Sequence, residues 1–163
     1  MKDLKWHYRY LKLAEEVASW SKDPSTKCGC VIISEDNIPI SFGYNGFPRG
    51  MLDAPERYLD REFKYRHIIH SEENAILSSN RDLRGCYVYI THPPCVKCIG
   101  MLRQKGVFSI IACIPDEDFA SRWSSVACRE LIKELGMSLL LLPKDSTVLA
   151  IPILYSTNNS IAL

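Results

Sequence analysis

Apolar residues at Leu4, Tyr8, Leu11, Ala14 and Ala18 recur every three or four positions, which predicts an amphipathic helix over residues 4–20. Pro24 closes it, because the proline ring disfavours helix at Asp23. The runs CGCVIIS (28–34) and IPISFGY (38–44) then read as two strands around the turn residues EDN, a hairpin. From NGFPRG through APERYLDREFKYRH the chain is charged and reads as loop. Beyond it the pattern alternates, with helices expected over 71–79, 95–104 and 117–135 and strands over 86–91, 107–114 and 137–142. Glycines 85, 106 and 136 fall at the junctions, where helix stops and turns need them. This alternation predicts an α/β protein: a mixed sheet with helices on its faces and its later strands parallel. The tail from Lys144 is less legible, and its VLAIPILY reads equally as an added strand, a packing arm or a subunit contact. No repeat, low-complexity tract or linker interrupts the chain, so one domain is expected over 1–163.

Composition narrows the function classes. The 47% apolar and 24% charged residues are those of an ordinary soluble globule. Twenty basic residues against 19 acidic ones argue against a broad nucleic-acid or membrane-surface footprint. No apolar run approaches the eighteen or so residues of a membrane span, and MKDLKWHYRYLKLAEE is too charged for a secretory signal. A cytoplasmic protein is the expectation. Seven cysteines are many, and odd in number, which favours buried thiols or metal ligands over a disulfide scaffold. Cys86 and Cys113 lie in strand-like runs and read as core.

The candidate chemistry lies in two short stretches. In THPPCVKCIG, Cys95 and Cys98 stand at the start of a predicted helix, where both sulfurs can turn to one side and the helix dipole favours thiolate. Alone, such a pair fits a redox couple or half of a structural zinc site equally well. In IIHSEENAIL, His70 heads another predicted helix that the alternation sets beside the first. One imidazole and two thiolates make three protein ligands, the number of a catalytic zinc that keeps a fourth position for water. Cys28 and Cys30 offer a fourth thiolate, but they are taken to alternate along a strand so that only one faces inward, and that closure is disfavoured. Glu72, two residues from His70, then becomes a candidate general acid–base beside an open metal position; otherwise it is a first-turn glutamate favoured by the dipole. Glu73 reads as a structural or solvated charge.

His70-Ser71-Glu72 with Pro94-Cys95-Val96-Lys97-Cys98 matches the H-x-E…P-C-x-x-C signature of zinc-dependent nucleobase deaminases. Together with WSKDPSTKCGCVI, GYNGFPRG and LRGCYVYITHPPCVKC, it makes the chain resemble the deoxycytidylate (dCMP) deaminase family from the first helix to about residue 142. The resemblance implies a three-layer α/β/α cytidine deaminase-like fold with a five-stranded mixed sheet, and hydrolysis of dCMP to dUMP and ammonia. It implies one zinc ion per subunit on His70, Cys95 and Cys98, with Glu72 as proton shuttle. It also implies contact of Asn45 with sugar and base, although an Asn-Gly turn explains that residue as well. The Pro93 carbonyl is a candidate acceptor for the cytosine amino group. A homo-oligomer, a hexamer by resemblance, with dCTP and dTTP as effectors is a further implication. GMLDAPERYLDREF lacks the cysteines and histidines that build a second zinc site in many members, and Ser71 replaces the commoner alanine.

Several choices stay open. Lys22, Ser25, Thr26, Lys27, Arg49, Arg57, Arg61 and Arg66 are all candidates for a phosphate, and spacing does not rank them. Trp123, Tyr44 and Phe47 read as base-stacking groups or as core and loop anchors. Cytidine, guanine, a modified cytidylate or adenosine in transfer RNA remain alternative substrates, and a non-catalytic zinc-stabilised module is the alternative of another class.

Overall fold

The computed structural model describes residues 3–145 and 152–156. Its frame is one six-stranded sheet in the order β2-β1-β3-β4-β5-β6. The strands are β1 (Gly29–Ile33), β2 (Pro39–Tyr44), β3 (Tyr87–Ile90), β4 (Ser109–Cys113), β5 (Ser138–Leu142) and β6 (Ile153–Tyr155). β1 pairs antiparallel with both β2 and β3, while β3, β4 and β5 run parallel. The expected hairpin and parallel half are therefore both present. The sheet has six strands rather than five because the tail returns: Ile153–Tyr155 pairs antiparallel with Leu139–Leu141. The rest of the VLAIPILY run, residues 148–151, lies outside the described residues.

The central strands are apolar at nearly every position because both faces are covered. One face packs Val31, Ile33, Tyr89, Ile111, Cys113, Leu140 and Leu142 under α1 (Leu4–Ser19), which contributes Tyr10, Leu11, Ala14 and Val17. The other packs Cys30, Ile32, Val88, Ile90, Ile110, Ala112, Leu139 and Leu141 under the later helices, with Cys86 in the same cluster. Asp3 starts α1 by accepting from the Lys5 amide at 3.0 Å. Glycine sets how close the helices come. A Cβ on Gly29 would stand 2.0 Å from the Ala14 carbonyl oxygen, and one on Gly43 2.2 Å from that of Ser71.

Two of the helical expectations need correction. The charged stretch read as loop contains α2 (Pro55–Leu59) and α3 (Arg61–His67). Pro55 sits at the first turn of α2, and the Asp60 carboxylate caps α3 by accepting from the Phe63 amide at 3.0 Å. Their inner faces bury Tyr58 and Lys64, and Phe47 stacks on Tyr58 with ring centroids 4.4 Å apart. The helix expected over 117–135 is two, α6 (Glu117–Arg122) and α7 (Ser125–Glu134). The break comes at Trp123, whose indole N–H donates to the Pro94 carbonyl at 3.0 Å instead of facing outward on a continuous helix. The other two helices, α4 (Ser71–Ser78) and α5 (Val96–Gln104), begin close to their expected positions. Among the described residues, no helix is long and apolar enough to cross a membrane.

Candidate functional site

His70 and Cys95 are the N-cap residues of α4 and α5, and Cys98 lies in the first turn of α5. Glu73 ties the two helix starts together. Its carboxylate accepts from the His70 amide at 2.9 Å and from Lys97 Nζ at 2.7 Å. Those bonds outweigh its partial burial and hold its carboxyl below the usual range. Glu73 is thus structural, as one of its two expected readings had it.

The tie brings the three candidate ligands into one group. His70 Nδ1 is 3.6 Å from Cys95 Sγ and 3.5 Å from Cys98 Sγ, and the three atoms lie within 4.8 Å of one another. A tetrahedral zinc with Zn–S of about 2.3 Å and Zn–N of about 2.0 Å would set nitrogen and sulfur roughly 3.5 Å apart. The donor set therefore fits zinc in both chemistry and spacing. Of the three, only Cys95 is shifted toward its metal-binding, deprotonated form. A hydrogen bond from the Cys98 thiol, helped by His70 and opposed by burial, pushes the Cys95 thiol down to about 4. Cys98, as the donor, is raised. The bond to Cys95 also raises His70.

Cys28 and Cys30 do not divide between the faces as expected. Residues two apart in a strand share a face, and both cysteines lie on the side that feels the Glu72 charge. Cys30 is fully buried in the core, while Cys28 Sγ sits 3.6 Å from His92 Nδ1. Neither joins the ligand group.

Glu72 is 5% exposed, and burial raises its carboxyl above the ordinary value. The fully buried Ser71 donates its hydroxyl to Glu72 Oε2 at 2.8 Å and so orients the carboxylate. His70, Glu72 and Cys95 open into a cavity of about 710 Å³, which Asn45 and Pro93 also line. That volume suits a small organic ligand. The Asn45 amide is heavily committed: its oxygen accepts from the Cys28 amide at 2.7 Å, and its nitrogen donates to the Thr26 carbonyl at 2.9 Å and to Asp23 at 3.4 Å.

Of the eight phosphate candidates only Thr26 and Arg61 line the cavity. Lys22 pairs with Asp53, Arg66 with Glu62, and Arg57 donates to the Leu52 carbonyl. Tyr44 meets Trp20 edge-on at 6.2 Å, outside the cavity lining. Trp123 lines it while anchored to Pro94.

The wall also holds residues that sequence reasoning passed over: Asp23, Lys64, Tyr65, His92, Phe119 and Arg122. Lys64 is 5% exposed and sits 3.2 Å from each oxygen of the buried Asp23 carboxylate, also donating to Ser25 Oγ at 2.8 Å. Asp23 in turn accepts from the Ser25 and Thr26 amides. This hub fixes the SKDPST turn against α3. Burial lowers His92, whose ring packs 4.6 Å from that of Phe119.

Residues 4–114 match the family described as "Cytidine and deoxycytidylate deaminase zinc-binding region". The chain is 41% identical over 143 residues to an "uncharacterized deaminase in luxG 3'region" of Aliivibrio fischeri, covering 86% of this chain and 96% of that one. It is 32% identical over 143 residues to the deoxycytidylate deaminase of Mus musculus, covering 83% of this chain and 78% of that protein. A dCMP deaminase of the cyanophage S-TIM5, solved in complex with dCMP and dUMP, superposes with a TM-score of 0.67 at 20% identity, covering 87% of this chain and 100% of that one. That last likeness shows the cytidine deaminase-like fold.

Proposed function

The chain belongs to the cytidine and deoxycytidylate deaminase family, and from that premise we propose that it hydrolyses dCMP to dUMP and ammonia. The observation that carries the reading is the group His70, Cys95 and Cys98, spaced for one zinc ion, beside a buried carboxylate in a ligand-sized cavity. One zinc per subunit held there would supply the Lewis acidity that makes water a nucleophile near neutral pH.

Glu72 moves the protons. It takes one from the attacking water and gives it to N3 of the ring as the bond to C4 forms, then takes the second from the new C4 hydroxyl and delivers it to the amino group, which leaves as ammonia. Water and the C4–NH2 group thereby become a C4 carbonyl and ammonia. Burial favours the protonated carboxyl, which suits a group that must carry a proton between two sites. Ser71 keeps one oxygen of Glu72 fixed during the transfer. The Pro93 carbonyl accepts from the cytosine amino group, and Asn45, its N–H groups already engaged, accepts from a sugar hydroxyl through the spare lone pair of its oxygen. The reading includes a homo-oligomeric enzyme with dCTP and dTTP as effectors, which light scattering with and without each nucleotide tests.

Purified protein assayed with dCMP, CMP, deoxycytidine and 5-substituted dCMP tests the reaction and the substrate together. The expected result is ammonia release from dCMP with much poorer use of deoxycytidine. Equal use of the two would reject a nucleotide substrate, and no deamination of any pyrimidine would reject the activity.

A further inference from the structure

We propose that Arg61 and Arg122, which share the Tyr65 hydroxyl, form a clamp for the 5′-monophosphate of the substrate and make this a nucleotide rather than a nucleoside site. The proposal rests on the dCMP reading above. Both arginines line the cavity that His70, Glu72 and Cys95 open into, and they reach it from different elements, α3 and α6. Arg61 Nη2 donates to Tyr65 Oη at 3.4 Å, and Arg122 interacts with the same hydroxyl. The Arg61 hydrogen bond, with Arg122 adding to it, lowers the Tyr65 hydroxyl. The positive field of Arg122 also reaches inward to His92 and Cys28.

The charges along the wall single out these two groups. The cavity is lined by four cations, Arg61, Lys64, Lys97 and Arg122. Lys64 is neutralised by buried Asp23, and Lys97 by Glu73. Among the described residues the ion-pair partner of Arg122 is Asp118, an 84% exposed carboxylate that water screens. Among the described residues no carboxylate stands within ion-pair distance of Arg61. Of the two carboxylates on the wall, Asp23 is spent on Lys64, and Glu72 stands beside the ligand group. The cavity therefore carries two guanidiniums with no buried counter-charge. A planar guanidinium presents paired N–H donors that match phosphate oxygens, which a lysine ammonium does not do. Aromatic neighbours hold the side chains: Arg61 lies 5.7 Å from the centroid of the Tyr65 ring and Arg122 5.7 Å from that of Phe119.

The test uses the full chain with Arg61→Gln, Arg122→Gln and the double substitution, checked for unchanged melting temperature and zinc content. Two readouts are taken: turnover of dCMP and deoxycytidine, and calorimetric binding of dUMP and deoxyuridine. A charge-assisted hydrogen bond lost to each phosphate contact predicts about a ten- to hundred-fold fall in kcat/KM for dCMP per arginine, expressed mainly in KM. Deoxycytidine turnover should stay within about twofold, and dUMP affinity should fall toward that of deoxyuridine. Equal losses on both substrates, or unchanged dUMP affinity in the double variant, would overturn the clamp while leaving dCMP deamination standing. Loss of monophosphate affinity in variants of a protein that never deaminates dCMP would keep the clamp and remove the proposed reaction.

Discussion

Glu72→Gln is expected to lower kcat for dCMP by a factor on the order of 10²–10⁴, the usual contribution of a positioned acid–base group. Glutamine keeps the volume of the side chain and an oxygen that can still accept from the Ser71 hydroxyl, so the loss would report the proton and not the packing. Zinc content should not change, because the metal-competent group is His70, Cys95 and Cys98 without Glu72. Stability should not fall either. A carboxyl that is 5% exposed and whose burial disfavours ionisation strains the folded state, and a neutral isostere relieves it. An inactive variant that holds its metal and melts no lower than the parent is the expected combination. Zinc analysis, steady-state kinetics and thermal melting check it, and retention of kcat within a few-fold would take Glu72 out of the mechanism.

Lys64→Met is expected to cost about 3–5 kcal/mol of folding stability, because it leaves a buried carboxylate without its counter-charge. Both partners are nearly sealed from water, with side-chain exposures of 6% for Lys64 and 3% for Asp23. Solvent therefore cannot compensate, as it does for the exposed pairs Lys22–Asp53 or Arg66–Glu62. Replacing both residues by apolar ones should recover only part of the loss. Asp23 also accepts from the Ser25 and Thr26 amides and from Asn45, and those donors would be stranded. Urea unfolding of both single variants and the double variant measures the coupling. A loss below about 1 kcal/mol for Lys64→Met would mean that water enters the pair.

These two residues show what the sequence could and could not reveal. Glu72 was legible because it sits within a three-residue motif whose partners, Cys95 and Cys98, form another short motif, each at a helix start. Lys64 was not, because its partner is 41 residues away and it stands in a run of charges that reads as solvated surface. The same charges hid α2 and α3, although Pro55 and Asp60 are ordinary helix-start signals. Arg61 was one name among eight, and only the fold placed it, with Thr26, on the cavity wall. Arg122 was hidden inside a helix expected to run unbroken from 117 to 135. What divides that helix is an indole bond from Trp123 to Pro94, 29 residues away, and no local pattern announces it. The sheet was readable because apolar runs bounded by Gly85, Gly106 and Gly136 mark strands buried on both faces. The added β6 lay in a tail whose pattern allowed several structures. The face shared by Cys28 and Cys30 followed from strand periodicity alone, and there the expectation misapplied the period.

X-ray absorption at the zinc edge of the purified protein examines the metal directly. Two light neighbours at about 2.0 Å, the His70 nitrogen and a water oxygen, and two sulfur neighbours at about 2.3 Å, with one zinc per chain, is the expected spectrum. A third or fourth sulfur, or no bound zinc, would contradict it.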